Sequence, residues 1–231
     1  MEFSTVVRTT GAVREFTDEP IPDEVLHTIL DHARFAPSGG NRQGWRVVVV
    51  RDAATRRRLR ELYQLSWREY VAHVSEGKVP FAPGPDRRWH GPAVDLEAAR
   101  AAEAPNPLAD RLDTVPVLLV VLVDLTQLAV LDNGLDRQSI VGGGSIYPFC
   151  HNIMLAARDQ GYGGVMTTAI CRQEEAVREL LGVPDPWAVA SLVALGRPVT
   201  QVTRLRRAPV EEFTVVDRFD GQEFNSQAFE V

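Results

Sequence analysis

The run from Val115 to Val123 is apolar throughout and ends at Asp124. At nine residues it falls far short of the roughly 20 that a membrane-spanning helix requires. It is therefore expected to be a strand buried in a protein interior. A second run, Trp45 to Val50, is rich in β-branched residues and does not alternate with polar ones. It is likewise expected to be a strand, buried on both faces. Helices are expected around these strands. Residues 22–35 place Pro22, Asp23 and Glu24 at a helix start, and Val25, Leu26, Ile29, Leu30 and Ala33 then recur at helical spacing until Pro37 stops the run.

The rest of the chain extends this pattern. Asp52 can cap a helix whose apolar stripe is Leu59, Leu62, Tyr63, Trp67, Tyr70 and Val74. Gly142-Gly143-Gly144-Ser145 leads into a helix reaching about Gln160, with Ile146, Phe149, Ile153, Met154 and Ala157 on one face and Gly161 as its stop. A strand at about 163–168, a helix at about 173–181 and a strand from Ala188 to Gly196 follow. Two stretches stand apart. Residues 77–110 carry prolines at 80, 83, 85, 92, 105 and 107 and are too long for a plain connection, so they are expected to be functional or mobile. The tail from about 205 to 231 has no core pattern of its own.

Composition narrows the function classes. A chain of 231 residues fits a single domain spanning 1–231. Its net charge of −6 argues against a general nucleic-acid binder. No signal peptide and no membrane span are expected, and two cysteines make no disulfide framework, so a cytoplasmic protein is expected. The five histidines form no H-E-x-x-H and pair with no cysteine, so no metal site is expected. A G-x-S-x-G elbow and a Walker A motif are both missing.

The chemically richest segment is Phe35 to Trp45. Gly39 and Gly40 allow close approach of another molecule to the main chain. Ser38, Asn41 and Gln43 offer donors and acceptors, and Trp45 offers an apolar wall. Such a loop suits a flat ligand with polar edges, although Asn41 could equally satisfy its own turn.

Four segments, in order, resemble the nitroreductase family of flavin-dependent oxidoreductases. They are Val13 to Thr17, Ala36 to Trp45, Gly161 to Thr168, and Arg206 to Glu212. The resemblance implies an α+β fold, with a mainly antiparallel central sheet flanked by helices, assembled as an intertwined homodimer. It implies FMN as cofactor, NAD(P)H as transient electron donor and a small electron-poor acceptor such as a nitroaromatic or quinone. It also assigns residues. Arg14 would face the pyrimidine edge of the isoalloxazine, Ser38, Gly39 and Asn41 would lie along the ring, and Thr167 and Thr168 would lie by N5. Arg207 would hold the phosphate. Residues 77–110 would form a lid, and 205–231 a C-terminal arm wrapping the partner subunit.

Two departures from the family pattern stand out. Gly44 replaces a usual proline, and Thr10-Gly11-Ala12 replaces an Arg-Arg-Ser type of phosphate segment. A hydrogen bond to a charged group is worth about 1.5–3 kcal/mol, so the missing charge puts weight on Thr10 and on Arg204, Arg206 and Arg207. Two other readings stay open: different flavin chemistry, such as reductive dehalogenation or flavin fragmentation, and a non-enzymatic flavin or deazaflavin binder.

Overall fold

The structure, a computed structural model, describes residues 1–225, so 226–231 of the expected arm lie outside the described residues. Eleven elements carry the fold: α1 (Phe3–Thr9), α2 (Asp23–Ala33), β1 (Trp45–Val49), α3 (Ala53–Ser75), α4 (Leu96–Ala101), α5 (Pro107–Arg111), β2 (Val117–Asp124), α6 (Tyr147–Asp159), β3 (Gly163–Thr167), α7 (Glu174–Leu181) and β4 (Trp187–Gly196). The four strands form one sheet in the order β1-β2-β4-β3, with every neighbouring pair antiparallel. This is the expected α+β fold.

The unbroken apolar character of β2 has a direct cause. Val117, Leu119, Val121 and Val123 point into a core shared with Leu26 and Ile29 of α2 and Phe149 and Ile153 of α6. Leu118, Val120 and Leu122 point into a second core with Leu59, Leu62 and Tyr63 of α3 and Val177 of α7. Side chains alternate across a strand, so a helical layer on each face demands apolar residues at every position. Each fully buried aliphatic side chain contributes about 1.5–3 kcal/mol.

The structure corrects one expectation and adds detail to two. β1 is an edge strand, only half-buried, with Arg46 and Val49 exposed. Residues 77–110 contain α4 and the start of α5, capped by the Asp95 and Asn106 side chains. Gly142–Ser145 belongs to a separate 3-10 turn (Val141–Ser145) that precedes α6. In addition, α1 occupies a stretch for which no helix was expected.

The N-terminal segment after α1 is held like an extra strand. Val13 N–H donates to the Gly164 carbonyl at 2.8 Å, Thr17 N–H to Arg197 at 2.9 Å, and Val199 N–H to Glu15 at 3.1 Å. Gly163 permits this approach, and Gly164 the close packing of β3 on β4. A Cβ on Gly163 would meet Val13 Cγ2 at 2.7 Å, and one on Gly164 would meet Leu195 Cδ2 at 2.4 Å and the Ala194 carbonyl oxygen at 2.6 Å.

A second organised loop follows β2. The buried Asp132 carboxylate accepts from Arg137 at 2.7 Å, Ser139 at 2.8 Å and the Ile140 N–H at 2.8 Å. The Ile140 N–H above all, aided by Arg137, Ser139 and Val141, holds this carboxyl far below the usual carboxylate range.

Gly164→Ala should lower unfolding stability by about 1–3 kcal/mol through overpacking. Gly144→Ala, with open space around its Cβ position, should change it by less than about 0.5 kcal/mol; urea denaturation separates the two. Asp132 has a depressed folded pKa, so its contribution is full above the unfolded value of about 3.9 and fades as pH falls toward the folded one. Asp132→Asn should therefore be less stable than the native protein at pH 7. The difference should shrink as the pH drops below 4, and thermal melts across pH 2–7 would show whether the curves converge.

Candidate functional site

Arg14, Thr167 and Thr168 line one cleft of about 600 Å³. Arg14 arrives there because Val13 is bonded to β3, and Thr167 and Thr168 because they end that same strand. Among the described residues, the Arg14 guanidinium makes no hydrogen bond or ion pair, and neither does the Thr168 hydroxyl. The Thr167 hydroxyl accepts from Ala169 N–H at 3.3 Å.

The opposite wall is aromatic. Trp67 and Tyr70 of α3 stack at 5.1 Å, and Phe81 lies 6.3 Å from Tyr70. Trp89 completes the wall, with the Arg172 guanidinium 4.8 Å over its ring. Phe81 and Trp89 belong to segment 77–110, so that segment does reach the cleft. Arg87, Arg88 and His90 of the same segment do not line it: Arg87 and Arg88 bond to Asp136, and His90 pairs with Asp86 at 2.7 Å.

Two residues of α3 that sequence reasoning missed support this wall. Glu69 and His73 are 4% and 3% exposed. One carboxylate oxygen of Glu69, Oε2, accepts from Arg172 Nε at 3.2 Å and Nη2 at 3.0 Å. His73 Nε2 lies 3.2 Å from Ala93 N–H, which can only donate, so the ring proton sits on Nδ1 and goes to the Glu69 carbonyl at 2.8 Å. The Phe81 ring packs 5.8 Å from the imidazole. The sequence did carry a signal. Positions 59, 62, 66, 69 and 73 keep helical spacing on one face, and Ser66, Glu69 and His73 are buried there, whereas the expected Val74 is exposed.

The remaining predicted residues lie elsewhere. Ser38, Gly39 and Asn41 do not line the cleft. Their polar atoms close their own loop: Gln43 N–H donates to Ser38 Oγ at 2.9 Å and Gln43 Nε2 to Asn41 Oδ1 at 3.1 Å. Gly39 N–H bonds to Ser145 Oγ at 3.0 Å. Asn41 (φ 55°) and Gln43 (φ 51°) are left-handed, a conformation that costs such residues free energy unless their surroundings impose it. Gly44 is explained by contact, because a Cβ there would sit 2.6 Å from that of Gln127. Trp45 offers no wall to a ligand, since it stacks on Phe149 at 4.8 Å and packs against the core.

The Thr10 segment is also corrected. Its hydroxyl and its N–H both donate to the Val6 carbonyl, and the Gly11 N–H donates to Thr9. No donor is left at Thr10 or Gly11 for a phosphate. Leu205 and Val202 pack over Gly11, with positions for a Cβ only 3.0 Å away, and this brings the basic run Arg204 to Arg207 alongside. Arg207 is exposed and, among the described residues, donates only to the Arg206 carbonyl. Both cysteine thiols are shifted away from the reactive thiolate form. Burial, reinforced by Glu174, pushes the Cys171 thiol up to about 11, and burial also raises Cys150.

Residues 7–197 match the nitroreductase family. The chain is 30% identical over 204 residues to an NADH dehydrogenase of Thermus thermophilus, a match covering 87% of this chain and 88% of that one. It is 26% identical to iodotyrosine deiodinase 1 of Rattus norvegicus, over 93% of this chain and 69% of the relative. Among solved structures, the NADPH:FMN oxidoreductase of Vibrio harveyi shares the fold with a TM-score of 0.65 at 21% identity, covering 95% of this chain and 78% of that one. A BluB-like flavoprotein of Clostridium difficile does so at 0.65 and 18%, covering 94% and 100%. The chain belongs to the nitroreductase family of flavin-dependent oxidoreductases.

Proposed function

We propose that this protein uses FMN to carry electrons from NAD(P)H to a small electron-poor molecule, a nitroaromatic or a quinone, and that it does so as a homodimer. The observation that carries the reading is the Arg14 guanidinium: backbone-anchored, unpaired among the described residues, and on the wall of a cleft whose other side is aromatic. A fixed cation without a counter-charge suits a bound group that becomes anionic.

The residues present fit such a cofactor. Arg14 would stabilise negative charge at the pyrimidine edge of the ring, and the free Thr168 hydroxyl would donate near N5. Arg207, with Arg204 and Arg206 beside it, would grip the phosphate, replacing the donors that Thr10 and Gly11 spend inside the chain. The chemistry supplied by bound FMN is hydride acceptance from the nicotinamide and delivery of electrons to the acceptor in a second half-reaction, a ping-pong cycle. Residues 77–110 act as a lid whose Phe81 and Trp89 exclude water from the ring.

The homodimer accounts for the two halves of the predicted site. Ser38, Gly39 and Asn41 would be offered to the partner's cleft, held in a strained loop for that purpose. Exposed Phe35, Leu131 and Ile140, together with Phe213 and Phe219 of the tail, supply apolar area for the interface. Reductive dehalogenation, the activity in the name of the iodotyrosine deiodinase relative, ranks second. An amino-acid substrate brings an α-ammonium, and among the described residues no carboxylate lines the cleft.

The freshly purified protein should be yellow and should bleach under anaerobic NADPH or NADH. Arg14→Ala should bind flavin but slow its reduction by about 10- to 100-fold, the equivalent of one charge-assisted hydrogen bond. Arg207→Ala should instead lose flavin on gel filtration while reducing any retained flavin normally. An Arg14→Ala protein that bleaches at the native rate would remove the role given to that residue.

A further inference from the structure

We infer that the acceptor is a planar aromatic molecule bearing a negative charge, and that Arg172 selects it. This rests on the redox reading of the cleft. Among the described residues, the formally charged side chains lining the cleft are Arg14 and Arg172, both cationic, and no carboxylate joins them. Two acids near the lid are paired elsewhere, Asp86 with His90 and Asp136 with Arg88. A cationic ligand would therefore meet repulsion and find no counter-ion.

The pairing of Arg172 with Glu69 does not cancel this preference. Both Arg172 bonds go to one oxygen of Glu69, and the other oxygen, Oε1, makes none among the described residues. The Glu69 side chain is 5% exposed and that of Arg172 is 29% exposed. The acid thus lies behind the guanidinium, and the pair turns its positive end toward the cleft. A guanidinium has five N–H donors, so two bonds to Glu69 leave others for a carboxylate or phenolate. The field of such a charge is strong where aromatic walls exclude water.

The shape preference comes from the same place. Arg172 stacks on Trp89, which fixes that indole, and Trp67 and Tyr70 lie stacked with only 10° between their planes. Indole and phenol faces are electron-rich, so they favour a flat electron-poor ring laid against them. One guanidinium serves both purposes, because it steadies the ring wall and presents charge beside it.

The test is a titration of the purified protein with 4-nitrobenzoate, its methyl ester and 4-nitrobenzylamine, read by quenching of tryptophan fluorescence from Trp67 and Trp89. The acid should bind about tenfold or more tightly than the ester, and the ammonium compound weakest; equal affinities, or a preference for the cation, would overturn the inference. In Glu69→Gln/Arg172→Gln, which leaves no buried charge unpaired, the preference should fall to within about twofold. In Arg14→Gln, an exposed site without partners, it should persist. Loss of the preference in Arg14→Gln would move the selectivity to Arg14 and sink the assignment even if the double variant fails to fold. Acid preference in a protein that NAD(P)H cannot bleach would remove the redox reading alone, whereas bleaching without charge preference would remove this inference alone.

Discussion

Arg14 reaches the cleft because one residue of β3 has no side chain. Gly163 lets the segment from Ala12 to Thr17 lie against the sheet at hydrogen-bonding distance, with Val13 bonded to Gly164. Arg14 follows directly, so its guanidinium is delivered to the end of β3, where Thr167 and Thr168 turn away. A side chain at Gly163 would push Val13 outward, and Arg14 would move with it. The electrostatics of the site therefore depend on a packing constraint some residues away from the charge itself.

Much of this was legible in the sequence, for reasons that can be separated. β2 was legible because a strand covered on both faces must be apolar at every position, and no other soluble element of that length reads the same way. α2 and α3 were legible from their caps and spacing, with Asp52 accepting from Thr55 N–H as expected. β1 was read as doubly buried because its β-branched run resembles that of β2. Its place at the sheet edge is a fact of topology, which a local pattern does not contain. The helices in 77–110 escaped notice because each is short and flanked by prolines.

The candidate site divides in the same way. Arg14, Thr167 and Thr168 were identified by resemblance, and the fold brings them to one cleft. Glu69, His73 and Arg172 were invisible to a search for apolar stripes, because each is polar and takes a hydrogen bond with a residue distant in sequence. Thr10 illustrates the converse. A threonine at a helix end reads as a free donor until the geometry shows its proton spent on the carbonyl one turn earlier.

Two buried polar residues one helical turn apart would ordinarily be a liability, since each must find a partner or destabilise the core. Here each finds a partner outside α3. Ala93 of the 77–110 segment bonds to His73, and Arg172 of the turn after β3 bonds to Glu69. The cost of leaving either group unpaired thus becomes a force holding the aromatic wall in place. A purely apolar α3 face would pack as well but would let Phe81 and Trp89 slide, because dispersion contacts are not directional. Directional bonds to a buried imidazole and a buried carboxylate set one position for the wall relative to Arg14, and a cleft that must distinguish one flat molecule from another requires that fixed separation.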